Sequence, residues 1–259
     1  MRPGQTIDVS LTVVVPVLNE EELLPSFLPK VVTDLEDAKF DWELILVNDG
    51  STDASGEIMR AFVKHTPRAR LVELNTNQGP GANLYEAFRI ATKRYVCYAT
   101  VDGFYDTRLL AELMRHFAEH DVVSAYRTDL MAHVPRRRLQ TLVNVRLVKL
   151  LFPYRFVAYH TLQIHRTDFI HHAHLESKTP FLCSEMLFKA SALSLRIKEV
   201  GIPYLPRRGG KATGGHPNLI WKYLRDVFYF WFRWQVLRRP IIAPGLRLPS
   251  VVEDAQATL

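Results

Sequence analysis

The chain has 259 residues, 47% of them hydrophobic and 11% aromatic, with a mean hydropathy near zero. That composition excludes a disordered chain and suits one large domain, or a domain with an extension. The formal charge of +6 is unevenly spread: residues 1–130 carry 13 Lys+Arg against 20 Asp+Glu, and residues 131–240 carry 19 against 5. So concentrated a surplus calls for an anionic partner (nucleic acid, a membrane surface or a phosphorylated ligand), with a solvated basic face as the plain alternative.

LTVVVPV at 11–17 is a continuous β-branched run and predicts a strand buried on both faces. LNEEELLPSFLPKVVTDL follows with helical spacing and acids in its first turn. WELILV at 42–47 predicts a second strand, ending at Asn48-Asp49-Gly50. Ser51, Thr52 and Asp53 offer an N-cap for a helix over 54–64. A strand at 70–74, the loop NTNQGPGAN at 75–83 and a helix over 82–92 come next. The fourth strand, 95–101, runs into ATVDGFYD at 99–106; a helix over 107–119 and a strand over 122–126 complete the first half.

Alternating strands and helices imply an α/β fold, a doubly wound, mostly parallel sheet with helices on both faces. Ligands on such sheets bind beyond the carboxyl ends of the strands, where all four polar clusters fall. The first strand-to-helix turn, PVLNEEE, has no glycine, so the dinucleotide fingerprint is missing, and no phosphate-loop lysine motif is present.

In the second half, an amphipathic helix is expected over Glu185–Val200. PNLIWKYLRDVFYFWFRWQVLRRP at 217–240 predicts a helix whose narrow polar stripe is Lys222, Arg225, Asp226, Tyr229 and Arg233. Its wide apolar face must be buried in the protein, in a partner or in a membrane interface. The tail from 241 reads as irregular. Cys97 and Cys183 read as two buried thiols, with a disulfide as the alternative. Five histidines lie at 160, 165, 171, 172 and 174, with no Cys partner or HExxH pattern to support zinc. The N-terminus shows no signal-peptide core, and no window reaches the roughly 20 apolar residues of a membrane span. The basic half contains no recognisable nucleic-acid module.

PVLNEEELLP, ILVNDGSTD, NQGPGAN and VDG, in that order, resemble the inverting family 2 glycosyltransferases of the GT-A fold. The resemblance implies that Pro16, Asn19, Glu20 and Asp49 hold the base and ribose of a nucleotide sugar. It adds Gly50, Asp53, Gly79, Gly81 and Thr100 to the walls of the same pocket, with a helix cap as the plain reading of Asp53. SAYRTD, RRRLQTLVN, SEMLFKA and EVGIPYLPRRGGKAT are similar to segments of the polyprenyl-phosphate sugar synthases, among them those making dolichyl-phosphate mannose. That implies a lipid phosphate acceptor bound by Arg127, Arg136 and Arg207, with Arg137, Arg138 and Arg208 as alternatives. Arginine suits phosphate through planar, bidentate hydrogen bonding. Glu185 matches an acidic position on the acceptor side, or is simply an acid at a helix start.

The implied reaction is displacement at the anomeric carbon, with inversion, assisted by Mg²⁺ or Mn²⁺ on the departing diphosphate. Asp102 is the implied metal ligand, and Asp102 and Glu185 the implied catalytic residues. Asp106 and Glu185 are candidate bases if the acceptor is a hydroxyl; otherwise Asp106 caps the helix over 107–119 or is a substitute metal ligand. Family members carry D-x-D where this chain has Thr100, Val101 and Asp102, so one expected carboxylate is a threonine. The expected protein is a cytoplasmic enzyme, peripheral at the membrane through its surface or a membrane protein. The implied division is a transferase domain over 1–215 (nucleotide-sugar half 1–130, acceptor half 131–215) and a C-terminal amphipathic extension over 216–259. A saccharide-directed transferase and a weakly catalytic nucleotide-sugar-binding homologue are the alternatives.

Overall fold

The first strand, β1 (Ser10–Val17), is an interior strand of the sheet, flanked on both sides, and is buried at every residue but the half-buried Pro16, as its β-branched run requires. This is a computed structural model, describing residues 9–103, 105–128, 135–159, 161–203, 205 and 217–248, with 135–141 and 217 described by backbone alone. β2 (Asp41–Asn48), β3 (Ala69–Glu73) and β4 (Tyr95–Tyr98) join β1 in parallel. β5 (Val122–Arg127), β6 (Gln163–Arg166) and β7 (Ile197–Ile202) extend the sheet to seven strands in the order β3-β2-β1-β4-β6-β5-β7. β6 runs antiparallel to both neighbours, β4 and β5, and β7 returns parallel to β5.

The helices are α1 (Leu24–Asp37), α2 (Ser55–His65), α3 (Pro80–Arg89), α4 (Leu109–Met114), α5 (Pro135–Leu151), α6 (Thr167–His172), α7 (Leu182–Ala192) and α8 (Pro217–Trp231). Strand alternation divides them between two cores. Leu11, Val13 and Val15 face one core with Leu24, Leu28 and Val31 of α1. Val14, Ile45 and Val47 face the other, with α3, α7 and α8. This is the doubly wound α/β arrangement that the alternation predicts.

Several elements differ from expectation. α1 begins at Leu24, one turn after Glu20–Glu22, so those acids precede the helix. The expected helix over Glu185–Val200 is α7 followed by β7. Ser194, at φ 58°, turns the chain out of the helix, and the residues of β7 pair with β5 from Ile197↔Val122 onwards. α7 is not amphipathic either: Leu182–Ala190 is buried throughout. The polar β6, QIHR, was not expected as a strand. His165 is buried there against Gln163 (3.0 Å), and burial pushes its pKa down to about 3. His171 and His172 face the backbone oxygens of Phe88 and Asp168, and no metal-binding group of three or more His, Cys, Asp or Glu forms among the described residues.

Cys97 and Cys183 are separate buried thiols. Burial pushes the Cys183 thiol up to about 12. Tyr223, Val227 and Phe230 of α8, and Trp234 just beyond its end, pack inward, with Phe230 stacked on Phe181 at 5.1 Å. Asp226 lies on that inner face, 7% exposed, rather than on an outer polar stripe. No described helix is long and apolar enough to cross a membrane.

Candidate active site

β1, β2, β3 and β4 all end at one edge of the sheet, and the turns that follow them build the site. Pro16 pairs with Val47 beyond the last β1–β4 pair, Val14–Tyr98. Asn19 takes a left-handed φ of 54°, a conformation asparagine tolerates. Its side-chain oxygen accepts the Thr52 N–H (2.8 Å), and its own N–H reaches the Ser51 hydroxyl (3.1 Å). The Glu20 N–H donates to Ser55 Oγ (2.9 Å), the Glu21 N–H to Asp53 (3.2 Å) and the Ala54 N–H to Glu21 (2.9 Å). PVLNEEE and NDGSTD are thus stitched into one rigid rim. Asp53 also accepts the Ser55 N–H (2.9 Å) at the start of α2. Burial raises its pKa, but bonds from Ser55 and Glu21 outweigh that and leave it lowered. Asp53 therefore serves as cap and clasp together.

Asp49 is 2% exposed and holds the 77–83 loop. Its carboxylate accepts the N–H groups of Gln78 (2.8 Å) and Gly79 (3.1 Å) and the Asn83 amide (3.3 Å). Burial raises its pKa, and those three donors pull against the rise. With both oxygens turned into the loop, Asp49 shapes the pocket through the loop backbone. Gly50, at φ 71°, lets that backbone lie on the turn: a Cβ there would sit 2.8 Å from Asn77 N. Gly79 ends the loop as the residue before α3. Gly81 serves a close approach. A Cβ there would collide with the Thr179 carbonyl oxygen and lie 2.5 Å from the Lys178 carbonyl carbon.

The β4 tip carries Thr100 and Asp102 in a turn closed by the Gly103 N–H on the Thr100 carbonyl (2.9 Å). The buried Thr100 hydroxyl makes no hydrogen bond. Tyr105 pins the stretch by donating to the Tyr98 carbonyl (2.8 Å). Asp106 is engaged as a cap and ion-pair partner. It accepts the Arg108 N–H (3.1 Å) and Nε (3.0 Å) and meets Lys30 (3.3 Å). The Arg108 guanidinium, foremost, holds its carboxyl well below the usual range. Asp106 is therefore a cap, not a spare ligand or base. The donor set at the tip is one carboxylate, Asp102. It fits Mg²⁺ or Mn²⁺ only where diphosphate oxygens and water fill the remaining positions, a common arrangement for nucleotide-bound metals.

Glu185 corrects an expectation. It is 0% exposed at the start of α7 and accepts the N–H groups of Glu176 (2.9 Å) and Ser177 (2.8 Å) and the Lys189 ammonium (2.9 Å). Burial raises its pKa, and Lys189 foremost opposes the rise. An enclosed, fully engaged carboxylate holds the 176–177 backbone. Arg127 ends β5 at the same sheet edge, within electrostatic reach of Tyr98, the last residue of β4. Arg136, Arg137 and Arg138 lie in the first turn of α5, described by backbone alone, and Arg207 and Arg208 lie outside the described residues. Sequence reasoning missed the strut at 176–180. Its Ser177 and Thr179 hydroxyls both donate to Asp226 (2.8 Å each). The one available signal was the i, i+3, i+4, i+7 spacing of Tyr223, Asp226, Val227 and Phe230, which puts an acid on a core stripe.

The family model "Glycosyl transferase family 2" matches residues 12–183, and the chain belongs to that family. A dolichyl-phosphate β-glucosyltransferase of Drosophila melanogaster is 26% identical over 252 residues, covering 88% of this chain and 76% of that protein. Its Dictyostelium discoideum counterpart is 27% identical over 125 residues, 44% of this chain and 38% of that protein. A dodecaprenyl-phosphate galacturonate synthase of Rhizobium johnstonii is 38% identical over 102 residues, 39% of this chain and 29% of that one. The chain thus spans less than half the length of two of these relatives and about three quarters of the third.

Among solved structures, glucosyl-3-phosphoglycerate synthase of Mycobacterium tuberculosis, in complex with Mn²⁺, UDP and phosphoglyceric acid, aligns with a TM-score of 0.64. Identity is 18%, over 86% of this chain and 77% of that one. The mannosyltransferase PcManGT of Pyrobaculum calidifontis, in complex with GDP-Man and Mn²⁺, aligns at 0.62, with 18% identity over 90% of this chain and 66% of that one. The fold is GT-A.

Proposed function

We propose that this family 2 glycosyl transferase moves a sugar, with inversion, from a nucleoside diphosphate donor to the phosphate of a polyprenyl-type lipid at the cytoplasmic membrane face. The observation that carries the reading is the convergence at one sheet edge of the stitched 19–21/51–55 rim, the loop hung on Asp49, Asp102 and Arg127. The rim and loop form the nucleotide floor, with backbone N–H groups and glycines where a base and ribose approach. Asp102 lies where the diphosphate would end. Mg²⁺ or Mn²⁺, when bound there, supplies Lewis-acid stabilisation of the leaving diphosphate.

The phosphate acceptor is favoured over a hydroxyl on chemical grounds. A phosphate is already ionised at neutral pH and needs no general base. The two acids considered as bases, Glu185 and Asp106, are committed to other partners. Arg127, with Arg136 and Arg207, supplies the guanidinium groups that would receive the acceptor phosphate. Polyprenyl-phosphate acceptors in the names of the relatives point the same way. Attachment at the membrane is supported by the outer face of α8, where Trp221 (70% exposed), Phe228, Tyr229 and Phe232 stand beside exposed Arg225 and Lys222. Aromatic and basic residues together suit an anionic lipid surface.

A second reading, a nucleotide-sugar binder with little turnover, is favoured by Thr100 in place of the first acid of D-x-D. A panel of nucleoside diphosphate sugars with Mn²⁺ and polyprenyl phosphate separates the two. The transferase reading expects release of nucleoside diphosphate that EDTA abolishes and Asp102→Asn removes. Nucleotide binding without turnover of any donor would establish the second reading instead.

A further inference from the structure

We propose that Asp226 is a positioning residue that ties the surface helix α8 to the donor loop through the strut at 176–180. The path consists of short contacts. Asp226 is buried on the inner face of α8 and accepts the hydroxyls of Ser177 and Thr179, 2.8 Å each, and Arg225 meets its other oxygen at 3.3 Å. From the opposite side Glu185 of α7 accepts the Glu176 and Ser177 N–H groups, and Lys189 donates to the Ala173 carbonyl at 3.0 Å. Arg233, two residues beyond the end of α8, pairs with Glu176. The strut is therefore held by two helices at once.

Its far side is the first turn of α3. The Thr179 and Lys178 backbone lies so close to Gly81 that no Cβ fits between them, and the Lys178 ammonium sits 5.5 Å from the centre of the Tyr85 ring. That turn is continuous with Gln78 and Gly79, whose N–H groups hang on Asp49. Asp49 holds the loop from the sheet side, and the strut supports it from the acceptor side. Asp226 is the one acid of α8, and it occupies a position on the core stripe where an apolar residue would otherwise pack. A buried carboxylate at such a position is costly unless its hydrogen bonds are made, and here they are made to the strut. The same helix presents its aromatic face outward, so a surface held by that face and the donor loop are joined by one rigid element.

The test reads the loop itself. Hydrogen exchange followed by mass spectrometry compares the wild type with Asp226→Asn, with Ser177→Ala/Thr179→Val, and with the three substitutions combined. The expected result is exchange about tenfold faster or more at Gln78 and Gly79 in both variants. The combination should add nothing beyond the hydroxyl-deleting pair, since that pair deletes the same bonds that loss of the Asp226 charge weakens, and peptides of β1 and β2 should keep wild-type protection. Unchanged exchange at 78–79 while the strut itself loosens would overturn the proposal, as would additive effects of the two variants. The hydroxyl-deleting pair leaves the acid in place and carries the test if Asp226→Asn is poorly folded.

A titration with UDP and GDP in the presence of Mn²⁺ supplies the second readout, an affinity lowered about tenfold in the same variants. That arm rests on the proposed function. Loss of the exchange effect overturns the positioning role, whereas a wild type that binds neither nucleotide overturns the nucleotide reading alone.

Discussion

Gly81→Ala tests the packing on which the donor loop depends. In an exposed helix, glycine to alanine is stabilising by about 1 kcal/mol, because alanine has the better helix propensity. Here the sign should reverse. The added Cβ would lie 2.5 Å from the Lys178 carbonyl carbon, well inside ordinary contact at 3.4 Å, and would collide with the Thr179 carbonyl oxygen. Helix and strut would have to separate by about 1 Å, and overpacking of this kind costs roughly 1–3 kcal/mol. The strut cannot yield freely, because Glu185 and Asp226 grip it from behind. At about 2–4 °C per kcal/mol for a chain of this size, Tm should fall by roughly 2–12 °C. Thermal unfolding measured by circular dichroism checks the sign. A Tm equal to or above that of the wild type would refute the contact between α3 and the strut.

Other expectations concern the charged groups. Isothermal titration of Mn²⁺ into the protein alone should show negligible heat, and binding should appear once UDP or GDP is present, because no group of three or more His, Cys, Asp or Glu able to hold a metal forms among the described residues. The Asp106 carboxyl is lowered by Arg108 first and Lys30 second, so it contributes stability above its unfolded pKa, and this is lost as pH falls through the lower folded value. Asp106→Asn should thus cost at most about 1 kcal/mol at pH 7, since Arg108 is exposed, and progressively less as pH falls below the unfolded value, by urea unfolding. It should leave nucleotide affinity unchanged. Glu185→Gln leaves the buried Lys189 ammonium with only the more distant carboxylate of Glu176 (3.8 Å) and should destabilise by up to about 3 kcal/mol, read from the same urea curves.

The nucleotide edge is the most legible part of the sequence. A buried parallel strand needs an unbroken β-branched run, and Leu11–Val17 supplies one. A turn that bridges two strand ends needs a left-handed residue and capping oxygens, which Asn19, Gly50 and Asp53 provide. β6 is illegible because Gln163, His165 and Arg166 carry no apolar signature. Their burial is satisfied by hydrogen bonds that hydropathy does not register: Gln163 with His165 and Tyr159, and Arg166 with Asp168 and with the distant Asp121 (3.4 Å). The break between α7 and β7 rests on one left-handed serine, Ser194, which periodicity does not register. Glu185 was expected as an acid at a helix start or on the acceptor side, and Asp226 as one member of a polar stripe. Their true surroundings depend on Lys189, Ser177 and Thr179, none adjacent to them in sequence.

The acceptor claim is the centre of the account, and label transfer tests it most directly. With a donor that turns over, labelled in its sugar, the protein is offered a polyprenyl phosphate, the matching polyprenyl alcohol, or a saccharide. The account predicts label in the organic phase with the phosphate alone, and none there with Asp102→Asn. Equal transfer to the alcohol or to the saccharide would contradict it.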